Sequence, residues 1–306
     1  MNLLYFFEKI RFSPLTEFML AITHLGEETA FLVLALFVFW CVDKKRGYLV
    51  LIVGFIGTTI NQFLKLVCRI PRPWILDPDF TIVEKARAAA DGFSFPSGHT
   101  QSAVGAFGAI AYRNKKKWHA ALLWTIAALV SVSRMYLGVH TPYDVGFSLI
   151  ASAVLIIAAY PFVMEKDGRY MPACIAVMFV CSLAYLLYVE VCSFPADMDQ
   201  DNLLSGIKNA YTLLGCVCGI AVVYWVDTKW LHFPTEAIWW AQILKFVGGL
   251  IVVLLVKEGL KVPFNAVLPA YPARALRYCL VVLVAGIVWP LTFRWFSGLG
   301  KRRLNP

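Results

Sequence analysis

The amino-acid sequence predicts an all-α, polytopic helical membrane protein of about nine spans, and three observations carry that prediction. Of 306 residues, 60% are hydrophobic and only 15% charged, a balance too apolar for a soluble domain of this length. Uncharged apolar runs of about 20 residues recur along the chain, the length that crosses a hydrocarbon layer. Inside such a layer backbone amides and carbonyls find no water, so each run is expected to be a helix. No small-residue cleavage site follows the first apolar run, so no removable signal peptide is expected.

The elements follow in order. The segment from Pro14 to Leu25 is too short to span alone and reads as an interfacial or re-entrant helix. The first span runs from Thr29 to Val42 and stops at the charged run Asp43-Lys44-Lys45-Arg46, and the second covers Tyr48 to Val67. Pro71, Pro73, Pro78 and Pro96 then break any helix and mark a long loop. Further spans are expected over Gly98–Tyr112, Trp118–Val132 and Tyr143–Val163. Four more follow near Pro172–Cys192, Leu203–Val226, Ala237–Val256 and Leu276–Phe296.

Basic residues set the orientation. Alternation through the spans collects Lys44, Lys45, Arg46, Arg113, Lys115, Lys116, Lys117, Lys166, Arg169, Lys229, Lys301, Arg302 and Arg303 on one side. The other side holds Arg69, Arg72, Lys85, Arg87, Arg134, Lys257, Lys261, Arg274 and Arg277. The excess marks the first side as cytoplasmic, so the loop from Arg69 to Pro96 is expected to face outward or into a lumen. The net charge of +9 then anchors the chain against anionic lipid, and no aromatic-interleaved basic patch points to nucleic acid. The eight cysteines lie mostly in or beside spans, where they act as small apolar residues. Neither a disulfide framework nor a metal site is expected from them; Cys216 and Cys218 would point to different faces of one helix.

Polar residues concentrate where the second to fifth spans reach the outer side. Lys65 is followed by Arg72-Pro73; a second segment reads Pro96-Ser97-Gly98-His99; a third reads Ser133-Arg134, then His140 and Asp144. Lys65, Arg72 and Arg134 supply three cations, enough to neutralise a phosphate, and arginine adds planar bidentate contacts. Ser97 and Gly98 lie where a loop enters a helix, so free backbone N–H groups and the helix dipole favour an anion. Gly98 has no side chain to block its approach. Asp144, four residues after His140, can hold one imidazole nitrogen and leave the other to attack. His99, from another segment, can protonate a leaving oxygen. Taken singly, each residue has a plainer reading. Basic residues at span ends anchor to headgroups, and Asp144 can be a first-turn acid favoured by the helix dipole.

Together the three segments resemble the three-part signature of the type 2 phosphatidic acid phosphatase superfamily, in its integral-membrane branch. Every signature position is filled, by Lys65, Arg72, Pro73, Pro96, Ser97, Gly98, His99, Ser133, Arg134, His140 and Asp144. The resemblance implies a phosphohistidine at His140, a general acid at His99 and an orienting carboxylate at Asp144. It implies phosphate binding by Lys65, Arg72, Ser97, Gly98 and Arg134, with no metal and no cofactor. A catalytic core over residues 1–165 and an accessory region of about four spans over 166–306 are the expected domains. The implied substrate is a lipid phosphate or diphosphate at the extracytoplasmic membrane face. A soluble sugar phosphate, or a non-catalytic role in lipid binding or transport, stands as the alternative.

The later half carries its own oddities. Lys245 sits inside the eighth expected span, where a charge costs about 3 kcal/mol on insertion scales. Glu190 or a lipid head is a candidate partner; snorkelling along Phe246 and Trp240 is the other reading. Asp197, Asp199 and Asp201 either bind calcium weakly or form a solvated loop. Gly248-Gly249 suits close helix packing.

Overall fold

The computed structural model describes residues 1–90, 92–165, 168–196 and 198–299, and among these every regular element is helical. Lys166, Asp197 and Lys301–Arg303 lie outside the described residues. The chain is an integral membrane protein. Seven helices are long and apolar enough to cross a membrane, and an eighth passage arises if the bent pair Ser13–Gly26 and Glu28–Val42, which meet at 58°, counts as one. The expected count of about nine is therefore approximate.

The difference lies in the stretch from Gly98. There α-helical Gly98–Ala103, a π turn at Val104–Gly108 and Ala109–Ala111 make one short run with buried Thr100, Gln101 and Ser102. It is too short and too polar for a lipid-facing span, yet it traverses the bundle. At its start Gly98 and His99 share a cavity with Lys65. At its end the Arg46 guanidinium donates to the carbonyls of Ala109, Ile110 and Tyr112. Those are the otherwise orphaned carbonyls of a helix C-terminus. The run thus lies along helix Lys44–Cys68 from the level of Lys65 to that of Arg46, shielded from lipid by protein.

We number the long helices around it α1 (Lys44–Cys68), α2 (Lys117–Tyr136), α3 (Pro142–Tyr160), α4 (Met171–Val191), α5 (Gln200–Val226), α6 (Trp239–Gly259) and α7 (Ala270–Leu283). Asp43 caps α1 by accepting from the amide of Arg46, and Arg69 ends it in the left-handed conformation, φ 51°. Helix α1 is the axis of the molecule: α3, the Gly98 run, α4 and α5 all pack on it. The N-terminal segment packs over the end of α2, where Arg11 donates to the carbonyls of Tyr136 and Thr81.

The later helices join this body through buried polar contacts. Lys44 meets Asp227 at 2.8 Å, and Asp227 also accepts from the amide of Phe233. Lys245 is fully buried, and among the described residues no ion pair joins it to Glu190. Its ammonium donates to the carbonyl of Thr235 at 2.8 Å and lies 4.8 Å from the Phe293 ring centre. A backbone carbonyl and an aromatic face compensate the charge. Gly249 lets the Trp40 and Trp289 rings close on α6: a Cβ there would sit 2.6 Å and 2.5 Å from their atoms. Asp199 caps α5 by accepting from the Asn202 amide, a structural use for one of the three clustered acids. All eight cysteines are free.

Candidate active site

The site is built where α1 ends, the Gly98 run begins and α2 turns into α3. Its best-defined part is that last turn. Val139 donates back to the Arg134 carbonyl, and Gly138 adopts φ 82°, a conformation that a side chain would strain. Thr141 and Asp144 then form a reciprocal capping box at the start of α3, with Pro142 in its first turn. His140 is thereby held, 2% exposed, between Arg134 and Asp144.

Asp144 has two jobs. Its Oδ2 accepts from the Thr141 amide at 2.7 Å and from the Ser94 hydroxyl at 2.6 Å, and lies 3.5 Å from His140 Nδ1. The cap bonds this carboxylate oxygen, while His140 Nδ1 lies within ion-pair distance of it but has no hydrogen-bond partner. On the other edge of the ring Arg72 Nη1 donates to His140 Nε2 at 3.0 Å and to the Val139 carbonyl at 2.9 Å. Guanidinium nitrogens only donate, so Nε2 is the acceptor and Nδ1 carries the proton facing Asp144. Burial, then the cations Arg72, Arg134 and Lys65, hold the imidazole well below its ordinary pKa. A neutral ring follows, with its lone pair on Nε2.

Lys65, Arg72, Gly98, His99 and His140 line one cavity of about 320 Å³. Arg72 is anchored by a further bond from Nε to the Gly92 carbonyl at 3.0 Å. Arg134 is fully buried; Nη1 donates to the Thr23 hydroxyl at 2.7 Å, while Nε and Nη2 have no partner. Nε2 of His99 is also buried without a partner. Two buried arginine nitrogens and an imidazole nitrogen left unbonded is an arrangement suited to an anion that completes them.

One expected residue, Ser97, is placed differently from the sequence reading. The Ser97 amide is not free: it donates to the Asp144 carbonyl at 3.3 Å, and the Ser97 hydroxyl caps the following helix by accepting from the Thr100 amide. Ser97 thus ties the second segment to the third, and of this loop only Gly98 and His99 line the cavity. At Gly98 a Cβ would meet nothing nearer than Asn61 Oδ1 at 3.8 Å, so the approach to its backbone is open.

Other groups escaped the sequence reading. Ser94 holds Asp144, Thr23 holds Arg134, and Asn61, Gln101, Glu27 and Asn209 line the cavity. Each meets the site only through packing, Thr23 from 111 residues away. No spacing rule points to them.

With this geometry in hand, comparison with known proteins is direct. The PAP2 superfamily model matches residues 46–167. The chain belongs to the PAP2 superfamily. A second model, the transmembrane extension of PAP2 superfamily phosphatases, matches residues 211–302. Phosphatidylglycerophosphatase B of Bacillus subtilis is 35% identical over 158 residues, covering 46% of this chain and 72% of that protein. Human sphingosine-1-phosphate phosphatase 2 is 25% identical over 266 residues, covering 76% of this chain and 61% of the relative. Undecaprenyl-diphosphatase BcrC of Bacillus subtilis is 31% identical over 127 residues, covering 41% of this chain and 63% of the relative. The chain thus matches under two thirds of the human relative's length. No solved structure matches.

Proposed function

We propose that this PAP2 superfamily member is a phosphatase that hydrolyses a lipid phosphate or diphosphate, without a metal, through a phosphohistidine on His140. The observation that carries the reading is the pairing at His140: Asp144 faces one ring nitrogen and the cation-lined cavity faces the other.

The chemistry follows from those positions. Substrate phosphate enters among Lys65, Arg72 and Arg134, whose charges offset its own and the extra charge that builds up during transfer. Arg72 then turns from Nε2 to a phosphate oxygen and frees the lone pair. Nε2 attacks phosphorus, the bond from phosphorus to the lipid oxygen breaks, and that oxygen takes a proton from His99, which has gained one from solvent as the negative phosphate enters beside it. Asp144 stabilises the ring, which is cationic once phosphorylated. Water, deprotonated by His99, then attacks the phosphohistidine, releases phosphate and restores both histidines. Three fixed cations supply the positive charge that a metal supplies elsewhere.

Lipid substrates are supported by the spanning helices and by relatives named for phosphorylated lipids. The basic excess at Lys44–Arg46 and Arg113–Lys117 supports an extracytoplasmic site, because Lys65 and His99 lie at the opposite end of α1 from Arg46. The test is phosphate release by detergent-purified protein from lipid mono- and diphosphates and from glucose 6-phosphate, in excess EDTA. Turnover of a lipid, inhibited by vanadate and absent in His140→Ala, is expected. Loss in EDTA restored by magnesium would overturn the mechanism, and turnover of glucose 6-phosphate alone would overturn the substrate class.

A further inference from the structure

The cavity has a wall that the phosphate chemistry does not use. Asn202, Ser205, Gly206 and Asn209, all from α5, line it together with Lys65 and His99. Their spacing of three, four and seven residues is one stripe of a helix. This stripe comes from the C-terminal region, beyond every residue of the phosphatase signature.

Two contacts seat the stripe against the catalytic helix. The Gly206 Cα lies so close to α1 that a Cβ would sit 2.8 Å from a Leu66 methyl, beside Lys65. The Gly206 carbonyl accepts from the buried Tyr185 hydroxyl at 2.9 Å, fixing the height of α5. Among the described residues, no hydrogen bond satisfies the side chains of Asn202, Ser205 or Asn209, which are half-buried. Facing them on α1, Asn61 keeps a buried Oδ1 without a partner. A lipid-phosphate cavity lined by unused amides and a hydroxyl is costly if an apolar chain fills it, since those groups would lose water and gain nothing.

We propose that the α5 stripe, with Asn61, is a headgroup subsite. It takes lipid monophosphates whose carbons next to the phosphate ester carry hydroxyl or amine groups, and it disfavours phosphates borne on a bare isoprenoid chain. Amides both donate and accept, so they serve either a hydroxyl or an ammonium. The subsite rests on the phosphatase reading above. It also gives the C-terminal helices a role in the site: they hold one wall of it.

The test uses full-length protein in detergent with three substrates: a sphingoid-base phosphate, lysophosphatidate and farnesyl monophosphate. Wild type should favour the first two in kcat/KM by at least about tenfold, the scale of one or two unmet buried hydrogen bonds. Asn209→Leu and Asn202→Leu should raise KM for the hydroxyl- or amine-bearing substrates and shrink that ratio about tenfold. Vanadate inhibition, read on each variant, reports whether the phosphate end is intact. If the leucine variants lose it, Ser205→Ala, which removes one hydroxyl only, decides by the same ratio. A ratio near one in wild type, or unchanged in the variants that keep vanadate inhibition, overturns the subsite alone. No release from any lipid phosphate overturns the phosphatase reading together with it.

Discussion

Arg72 and His140 are hydrogen-bonded to each other, with Nη1 of the arginine 3.0 Å from Nε2 of the histidine. The nitrogen proposed to attack is therefore occupied until an anion takes the guanidinium away. Such a contact orients the ring before substrate arrives and selects the tautomer that reacts. It also makes Arg72 a clamp whose planar fork matters beyond its charge. Arg72→Lys keeps the charge but loses the fork and the bonds to Gly92 and Val139. We expect kcat/KM for a lipid phosphate to fall by about a hundredfold or more, the scale of one lost transition-state donor. A lysine variant as active as wild type would show that point charge is sufficient.

The contacts of Asp144 predict a split between activity and stability. Asp144→Asn should lower kcat by about four orders of magnitude, as loss of the orienting carboxylate does in other histidine-centred sites. Ser94→Ala leaves the carboxylate and the capping box in place. It removes one buried bond, worth about 1 kcal/mol of stability, and should lower kcat far less than Asp144→Asn. Kinetics and thermal unfolding in detergent, measured side by side, check both. An equal kcat loss in the two variants would mean that the serine, not the charge, orients the ring.

Burial and three cations lower the His140 pKa, and the sign of the pH effect follows. A group with a depressed pKa stays neutral as pH falls through the ordinary imidazole range near 6.5. The nucleophile is thus expected to survive acidification below that range in the free enzyme. The kcat/KM profile, corrected for ionisation of the substrate phosphate, should show its acid limb below the ordinary imidazole range. A limb at the ordinary imidazole value would mean that water reaches the ring.

Topology decides which pool of lipid the site meets. Cysteines introduced at Ala88, in the long loop, and at Lys115, in the basic loop, should differ in labelling of intact cells by an impermeant maleimide. The background must lack Cys68 and Cys192, which are exposed. Ala88→Cys should label and Lys115→Cys should not. The opposite pattern would move the proposed site to the cytoplasmic leaflet.

The sequence alone made much of this molecule legible, because a bilayer restricts the chain severely. Apolar runs had to be helices, and their order could be read without tertiary information. The approach of His140 to Asp144 was legible too, since they are four residues apart and local spacing decides their meeting. What spacing could not reach was set by packing. The last carbonyls of the Gly98 run are satisfied by Arg46, from another helix. The Ser97 amide, free by local rules, is taken by the Asp144 carbonyl. Lys245 finds Thr235 and Phe293, not an acid. Thr23, Ser94 and the α5 stripe reach the site from distant parts of the chain. Periodicity and spacing follow from forces along one segment, whereas a buried polar group is satisfied by whichever segment packs nearest, and only the folded bundle decides which that is.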